Sequence, residues 1–315
     1  MRNPIFTSIG ILSAATALVC SAASTWETEW DQAMEKSTKS GQPVLVDFTG
    51  SDWCPGCIYL RKHIFDTEPF AKYAAEHQFI LLELDFPKKP GKIPMEKLKF
   101  HEKLMHHYAI SSFPTVLLMD GNGAPYAKML SASKTPEEYL TRLDAARETR
   151  TKFKEAVAAA ATLQGNAKLE QLVKALRILP EELQSHHKDL IAEIASLDPQ
   201  DKYGFNKRAK IAAELEKQRN MYEQFCQKYA GKIAPADVQA SRAEAMQMLE
   251  KGNLLPSIRL EVAKFISDGY ALERNLPKAL EYLEIARDSD PESKAAKRLQ
   301  PWIDNMKNII QQEQK

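Results

Sequence analysis

Four cysteines in 315 residues are too few for a disulfide framework, and one of them sits in an uncharged leader. Setting Cys20 aside leaves Cys54, Cys57 and Cys226, and three thiols do not pair off. No second Cys-x-x-Cys and no histidine pair at matching spacing accompanies Cys54 and Cys57, so a zinc site there lacks about half of its four donors. Charge of one sign is also missing: 43 basic and 42 acidic side chains give a formal net charge of +1. Without a Lys/Arg stripe, the electrostatic footprint of a nucleic-acid binder is absent. Strand-forming runs disappear beyond about residue 150, where helical segments follow one another between prolines and glycines.

What is present fits a soluble chain with packed cores: 44% hydrophobic and 27% charged residues. The length suits about two domains, at ~100–200 residues each. Met1-Arg2 is followed by an uncharged stretch up to Glu27, with Ser21-Ala22-Ala23 supplying the small residues a signal peptidase requires. A secretory signal over 1–23 is therefore expected, delivering the rest to a periplasmic or extracellular compartment. An uncleaved membrane anchor is the alternative, since the run approaches the ~20 residues of a span. In an oxidising compartment a dedicated Cys-x-x-Cys is expected to cycle between dithiol and disulfide.

The order of elements reads βα, β, α, β, β, α. "PVLVDFT", 43–49, and "FILLELDF", 79–86, are apolar enough for buried strands. Between them Cys57, Leu60 and Ile64 form one inward helical stripe, and Pro69 opens a second helical piece. "PKKPGKIP", 87–94, is a loop before the helical "MEKLKFHEKLMHHYAI". "PTVLLMD" and "APYAKML" flank the turn "GNG" as a hairpin, and Thr135-Pro136-Glu137-Glu138 caps a following helix. One mixed sheet with helices on its faces is predicted, followed by an all-α, repeat-like part. The domains are placed at 24–148 and 149–315.

The chemistry centres on "FTGSDWCPGCIYL", 48–60. A cysteine at the first turn of a helix meets unpaired backbone N–H groups and the positive end of the dipole, which favour thiolate. Cys54 takes that place as an exposed nucleophile, and Cys57, one turn inside, is the buried resolving thiol. Attack of the Cys54 thiolate on a partner disulfide would give a mixed disulfide that Cys57 resolves. A fold that keeps both cysteines inert and serves only for docking is the competing reading.

"VDF" on the strand, "WCPGC" at the helix start and "FPTVLLMDGNG" downstream occur in an order that resembles the thioredoxin superfamily. "CIYLRKHIFDTEPFAKYAAEHQFILLELDF" is similar to exported members such as the periplasmic C-terminal domain of the transmembrane thiol reductant conductor. The likeness covers roughly residues 28–148. It implies a thioredoxin-like fold and a cis-proline at Pro114, preceded by Phe113, in a loop that presents backbone to an extended substrate peptide. It also implies that Asp47 is the buried acid that moves protons for the resolving cysteine. Trp53 is expected to shape the substrate-facing surface. Three departures stand out: one extra residue between Asp47 and Cys54, Pro55-Gly56 in place of Gly-Pro, and ~16 additional residues before Pro114.

Other residues draw less. His101 and His106 are five apart and miss the i, i+4 spacing of a zinc helix, leaving a solvated or interface helix. His186 and His187, read as helix neighbours, are expected at the surface. Cys226, beside Phe225 and Tyr229, is expected to pack. "YALERNLPKALEYLEIARDSDP", 270–291, resembles the second part of a tetratricopeptide repeat, with Ser267 where the repeat carries glycine, and a bespoke helical bundle is the equal alternative for this part. The reading is an exported thiol–disulfide oxidoreductase, with reductase or isomerase direction preferred and no cofactor required. Its partners would be protein thiols or disulfides and an upstream thiol reductant or oxidant. A redox-controlled module whose helical part recruits an envelope protein is the rival.

Overall fold

The computed structural model describes residues 25–130, 133–232 and 234–313; the expected signal over 1–23 lies outside them. Five strands form one mixed sheet: β1 (Trp26–Glu27), β2 (Val44–Thr49), β3 (Ile80–Asp85), β4 (Thr115–Met119) and β5 (Pro125–Leu130), in the spatial order β1-β3-β2-β4-β5. β1, β3 and β2 run parallel, while β4 and β5 are antiparallel additions. Both faces are covered, which is why β2 is buried at every position instead of alternating. Val44, Val46 and Phe48 join Ile80, Leu82, Leu84, Leu117 and Met119 in the core under α1 (Trp30–Ser40) and α4 (Met95–His107). Side chains alternate across a strand, so Leu45, Asp47 and Thr49 point to the opposite face.

That opposite face is covered by α2 (Pro55–Leu60), α3 (Glu68–Glu76) and α5 (Pro136–Ala160). α2 continues through a π-helical turn, Arg61–Phe65, in which the Asp66 N–H donates to the Arg61 carbonyl, five residues back, at 2.9 Å. Such turns carry one extra residue and often mark functional positions. α5 begins where the sequence places it, with the Thr135 hydroxyl accepting the Glu138 N–H. β1 and α1 extend the predicted order at its start.

The described residues divide into two compact units, one ending at Leu190 and one beginning at Ile191. The expected boundary at 148 falls inside the unbroken α5, and α6 (Gly165–Leu176) and α7 (Glu181–Gln184) lie within the first unit. Two contacts show why. Gln171 on α6 donates to the Ala156 carbonyl of α5, and the His187 ring lies 3.0 Å from the Pro125 carbonyl of β5. The expectation of surface positions for His186 and His187 is corrected. His187 is buried and His186 packs on Tyr108 and His107, because the pair sits between α7 and α8 (Lys188–Leu197), not on a helix face.

The second unit contains α9 (Phe205–Tyr229), α10 (Pro235–Glu250), α11 (Pro256–Leu272), α12 (Leu276–Ser289) and α13 (Lys294–Glu313). Ala263 on α11, Ala286 on α12 and Ala296 on α13 share one core, where small side chains let the helices close up. Ser267, at the position given to glycine in the repeat, donates from its hydroxyl to the Ala279 carbonyl at 2.7 Å, satisfying itself across that close approach. Cys226 is a half-buried free thiol on α9, raised by burial. No helix among the described residues is long and apolar enough to cross a membrane.

Candidate functional site

β2 ends at Thr49, and the chain turns at once: the Cys54 N–H donates to the Gly50 carbonyl at 2.9 Å. Gly50 is required there, because a Cβ would stand 2.6 Å from the Trp53 indole that lies across it. Cys54 is the N-cap of α2 and Pro55 its first residue, where a missing N–H costs nothing. Cys54 and Cys57 are joined in a disulfide, with their Cα atoms 5.2 Å apart. The Cys57 N–H points to Cys54 Sγ at 3.3 Å, and the Gly50 N–H to Cys57 Sγ at 3.4 Å.

The Phe113–Pro114 peptide bond is cis. Pro114 lies against the motif so closely that a Cβ on Gly56 would be 3.2 Å from its ring. The Trp53 and Phe113 rings meet edge to face at 5.8 Å. One expectation needs correcting here. Cys54 is only 5% exposed in this disulfide form, against 2% for Cys57, so the two sulfurs do not divide into an open and a covered one. Pro114, sixty positions along the chain from Cys54, packs on the Gly56 that lies between the two cysteines, a contact that helix position alone does not reveal.

Asp47 lies on the sheet face beneath α2 and is 2% exposed. Burial pushes its carboxyl up to about 7; the Arg61 guanidinium pulls the other way, while Glu83 and Asp85 push in the same direction as burial. Arg61 Nη2 is 3.8 Å from Asp47 Oδ2 and pairs more closely with Glu83. Asp47 Oδ1 and the Tyr139 hydroxyl are buried without a hydrogen-bond partner among the described residues, and the Asp47 charge helps hold Tyr139 well above the usual phenol range, after burial.

The additional segment before Pro114 is fastened to the motif. Asp52 accepts the backbone N–H groups of Lys88 and Lys89 at 3.0 and 2.8 Å, and Trp53 Nε1 donates to the Phe86 carbonyl at 2.7 Å. The Lys88 ammonium lies 4.4 Å from the Trp53 ring centre. Lys92 reaches Asp85 and Ser51. His101, expected on a solvated or interface helix, is instead buried, with Nδ1 2.9 Å from the Asp85 carbonyl. Its place on the sheet-facing side of α4 explains the difference. Among the described residues no group of three His, Cys, Asp or Glu side chains could hold a metal ion.

Arg61, Glu83 and Asp52 were not among the candidates. Arg61 follows Cys57 by four residues and so shares its helix face, and Glu83 is a charge inside an apolar strand; both are visible signals.

A family model described as a thioredoxin-like domain matches residues 30–147. Disulfide bond reductase DsbH of Chlamydia pneumoniae is 32% identical over 114 residues, covering 36% of this chain and 67% of that protein. Thioredoxin-related protein DsbJ of the same organism is 26% identical over 95 residues, covering 30% of this chain and 26% of that one. A solved DsbH oxidoreductase is 26% identical, with a TM-score of 0.37 over 46% of this chain and 94% of its own. The chain thus spans about two thirds of DsbH and about a quarter of DsbJ. Through residues 30–147 and its Cys54–Cys57 pair, the chain belongs to the thioredoxin-like family of disulfide-related proteins.

Proposed function

We propose that the chain is an exported thiol–disulfide oxidoreductase that reduces protein disulfides through Cys54 and Cys57. The observation carrying this reading is the Cys54–Cys57 disulfide at the start of α2, beside cis-Pro114, with Asp47 buried in β2, the strand that leads into the motif. In the reduced protein, the Cys57 N–H and the first turn of α2 favour a thiolate at Cys54. That thiolate attacks a substrate disulfide; one substrate sulfur leaves as thiolate and a mixed disulfide forms. Cys57 gives its proton to Asp47 and attacks Cys54 Sγ, the second substrate sulfur leaves, and two electrons have passed to the substrate. An upstream thiol reductant returns the Cys54–Cys57 disulfide to the dithiol. Trp53 and Phe113 flank the place where an extended peptide would lie along Pro114. The similarity to DsbH, a disulfide bond reductase, supports the reducing direction.

Insulin reduction with a thiol donor tests the assignment. Turnover should be lost in Cys54→Ala, and Cys57→Ala should accumulate mixed disulfides through Cys54. Slow turnover by the intact protein, with the pair still responding to a glutathione series, would favour a redox-controlled binding module instead.

A further inference from the structure

The group nearest in charge to Asp47 is a cation that is held elsewhere. Arg61 sits in the π-helical turn, with its guanidinium 4.1 Å from the Trp26 ring centre and in an ion pair with Glu83 of β3. Only the longer leg, 3.8 Å, reaches Asp47. β2 and β3 are in register with Asp47 opposite Glu83, so the two carboxylates compete for one guanidinium by construction. Paired directly, an arginine beside a buried acid lowers its proton affinity by one to three pH units and fixes it as the ion. A base locked in that way takes up no proton near neutrality, where a general base is most useful.

We propose that Arg61 and Glu83 are positioning residues for the proton transfer assigned to Asp47: Glu83 draws the guanidinium aside and leaves the buried acid free to take the proton that Cys57 releases. The inference rests on the proposed role of Asp47. Two observations support it independently. Asp47 Oδ1 has no hydrogen-bond partner among the described residues, so one carboxylate oxygen is uncommitted. The Trp26 ring, packed on Phe65 and Phe70, gives the guanidinium a fixed platform. The charged and titratable groups facing Asp47 are Arg61 from the π-helical turn, Glu83 and Asp85 from β3, and Tyr139 from α5. The direction of each follows: Arg61 favours the ionised acid, and Glu83 and Asp85 favour the protonated one.

The test uses the full chain with Cys20→Ser and Cys226→Ser, reduced and mixed with 5,5′-dithiobis(2-nitrobenzoate) in a stopped-flow instrument. The first thionitrobenzoate leaves as Cys54 forms the mixed disulfide. The second leaves as Cys57, its proton passing to Asp47, closes the Cys54–Cys57 bond. The rate of that second release against pH should inflect near 7, where Asp47 ionises. Arg61→Gln should move the inflection up by about one pH unit and Glu83→Gln should move it down by about one, with Arg61→Lys returning it towards the parent. Opposite displacements from the two ends of one ion pair are not the result of general loosening. Inflections unmoved in Arg61→Gln and Glu83→Gln, but abolished in Asp47→Asn, would overturn the positioning role and leave Asp47 as the base. A parent inflection that survives Asp47→Asn would overturn the base itself. Should Arg61→Gln not fold, the downward displacement in Glu83→Gln decides alone.

Discussion

A carboxyl that is buried, partly unpaired and flanked by two more acids must work against the fold when it is charged. Asp47 ordinarily ionises near 3.8 and is pushed up to about 7 in the folded chain. Below pH 4 both folded and unfolded states hold the proton, and nothing is lost. Between 4 and 7 the unfolded chain releases it while the folded chain retains it, so stability falls as pH rises and levels off above 7. Each tenfold difference in proton affinity is worth about 1.4 kcal/mol, which puts the whole loss at about 4 kcal/mol. Asp47→Asn abolishes this loss. Urea unfolding of the oxidised protein should show the variant gaining several kcal/mol on the parent between pH 3.5 and pH 8. The comparison between two pH values cancels the fixed cost of burying an amide. At this scale the cysteine motif can be picked out of the sequence because its spacing is short, whereas Asp47 is singled out only through the family resemblance. The packing of Pro114 on Gly56 and the Arg61–Glu83 pair are not legible, since each depends on segments that meet only in the folded sheet.

Elements add what no residue supplies alone, and the segment at 86–101 shows it. Read from the sequence it is a Pro/Lys/Gly loop and a polar helix; in the structure its beginning is tied to the turn before Cys54 by Asp52, Trp53 and Ser51. Asp52 holds the two backbone N–H groups with a carboxyl kept below its usual range by those same bonds. Asp52→Ala should therefore free the Lys88 and Lys89 amides, and hydrogen exchange measured by mass spectrometry or NMR should quicken there by at least about tenfold. Amides of β2 and β3 should be unaffected. The strands themselves are legible because β2 and β3 are largely apolar runs, interrupted by charge only at Asp47, Glu83 and Asp85, as a doubly covered parallel sheet demands. β1 was not, being two residues long, although α1 offered a readable stripe in Trp30, Ala33, Met34 and Ser37. The π-helical turn was invisible, because one extra residue per turn leaves both Ile64 and Phe65 buried and the periodic stripe almost intact.

Across the whole molecule, the disappearance of strands near residue 150 is a change of secondary structure inside a compact unit that runs on to Leu190. α5 runs from 136 to 160 through that point, and its buried Phe153 and Ala160 lie beyond residue 148. Leu172, Val173 and Leu176 of α6 are buried as well, and His187 reaches back to β5 with its ring packed on Phe153. A fragment of residues 25–148 would sever α5 in mid-helix, lose Arg150 and Phe153 with its second half, strip α6 and α7 away, and uncover Tyr126, over whose ring the Arg150 guanidinium lies. Ending the chain at 190 keeps these contacts. Fragment 25–190 is expected to unfold in urea as one cooperative transition and to exchange disulfides at the rate of the intact chain. Fragment 25–148 should have a clearly lower midpoint, since uncovering even two or three large apolar side chains costs several kcal/mol at about 1.5–3 kcal/mol each. Equal midpoints for the two fragments would mean that α6 and α7 contribute nothing to the thioredoxin-like unit, and that the composition shift near 150 is its true limit.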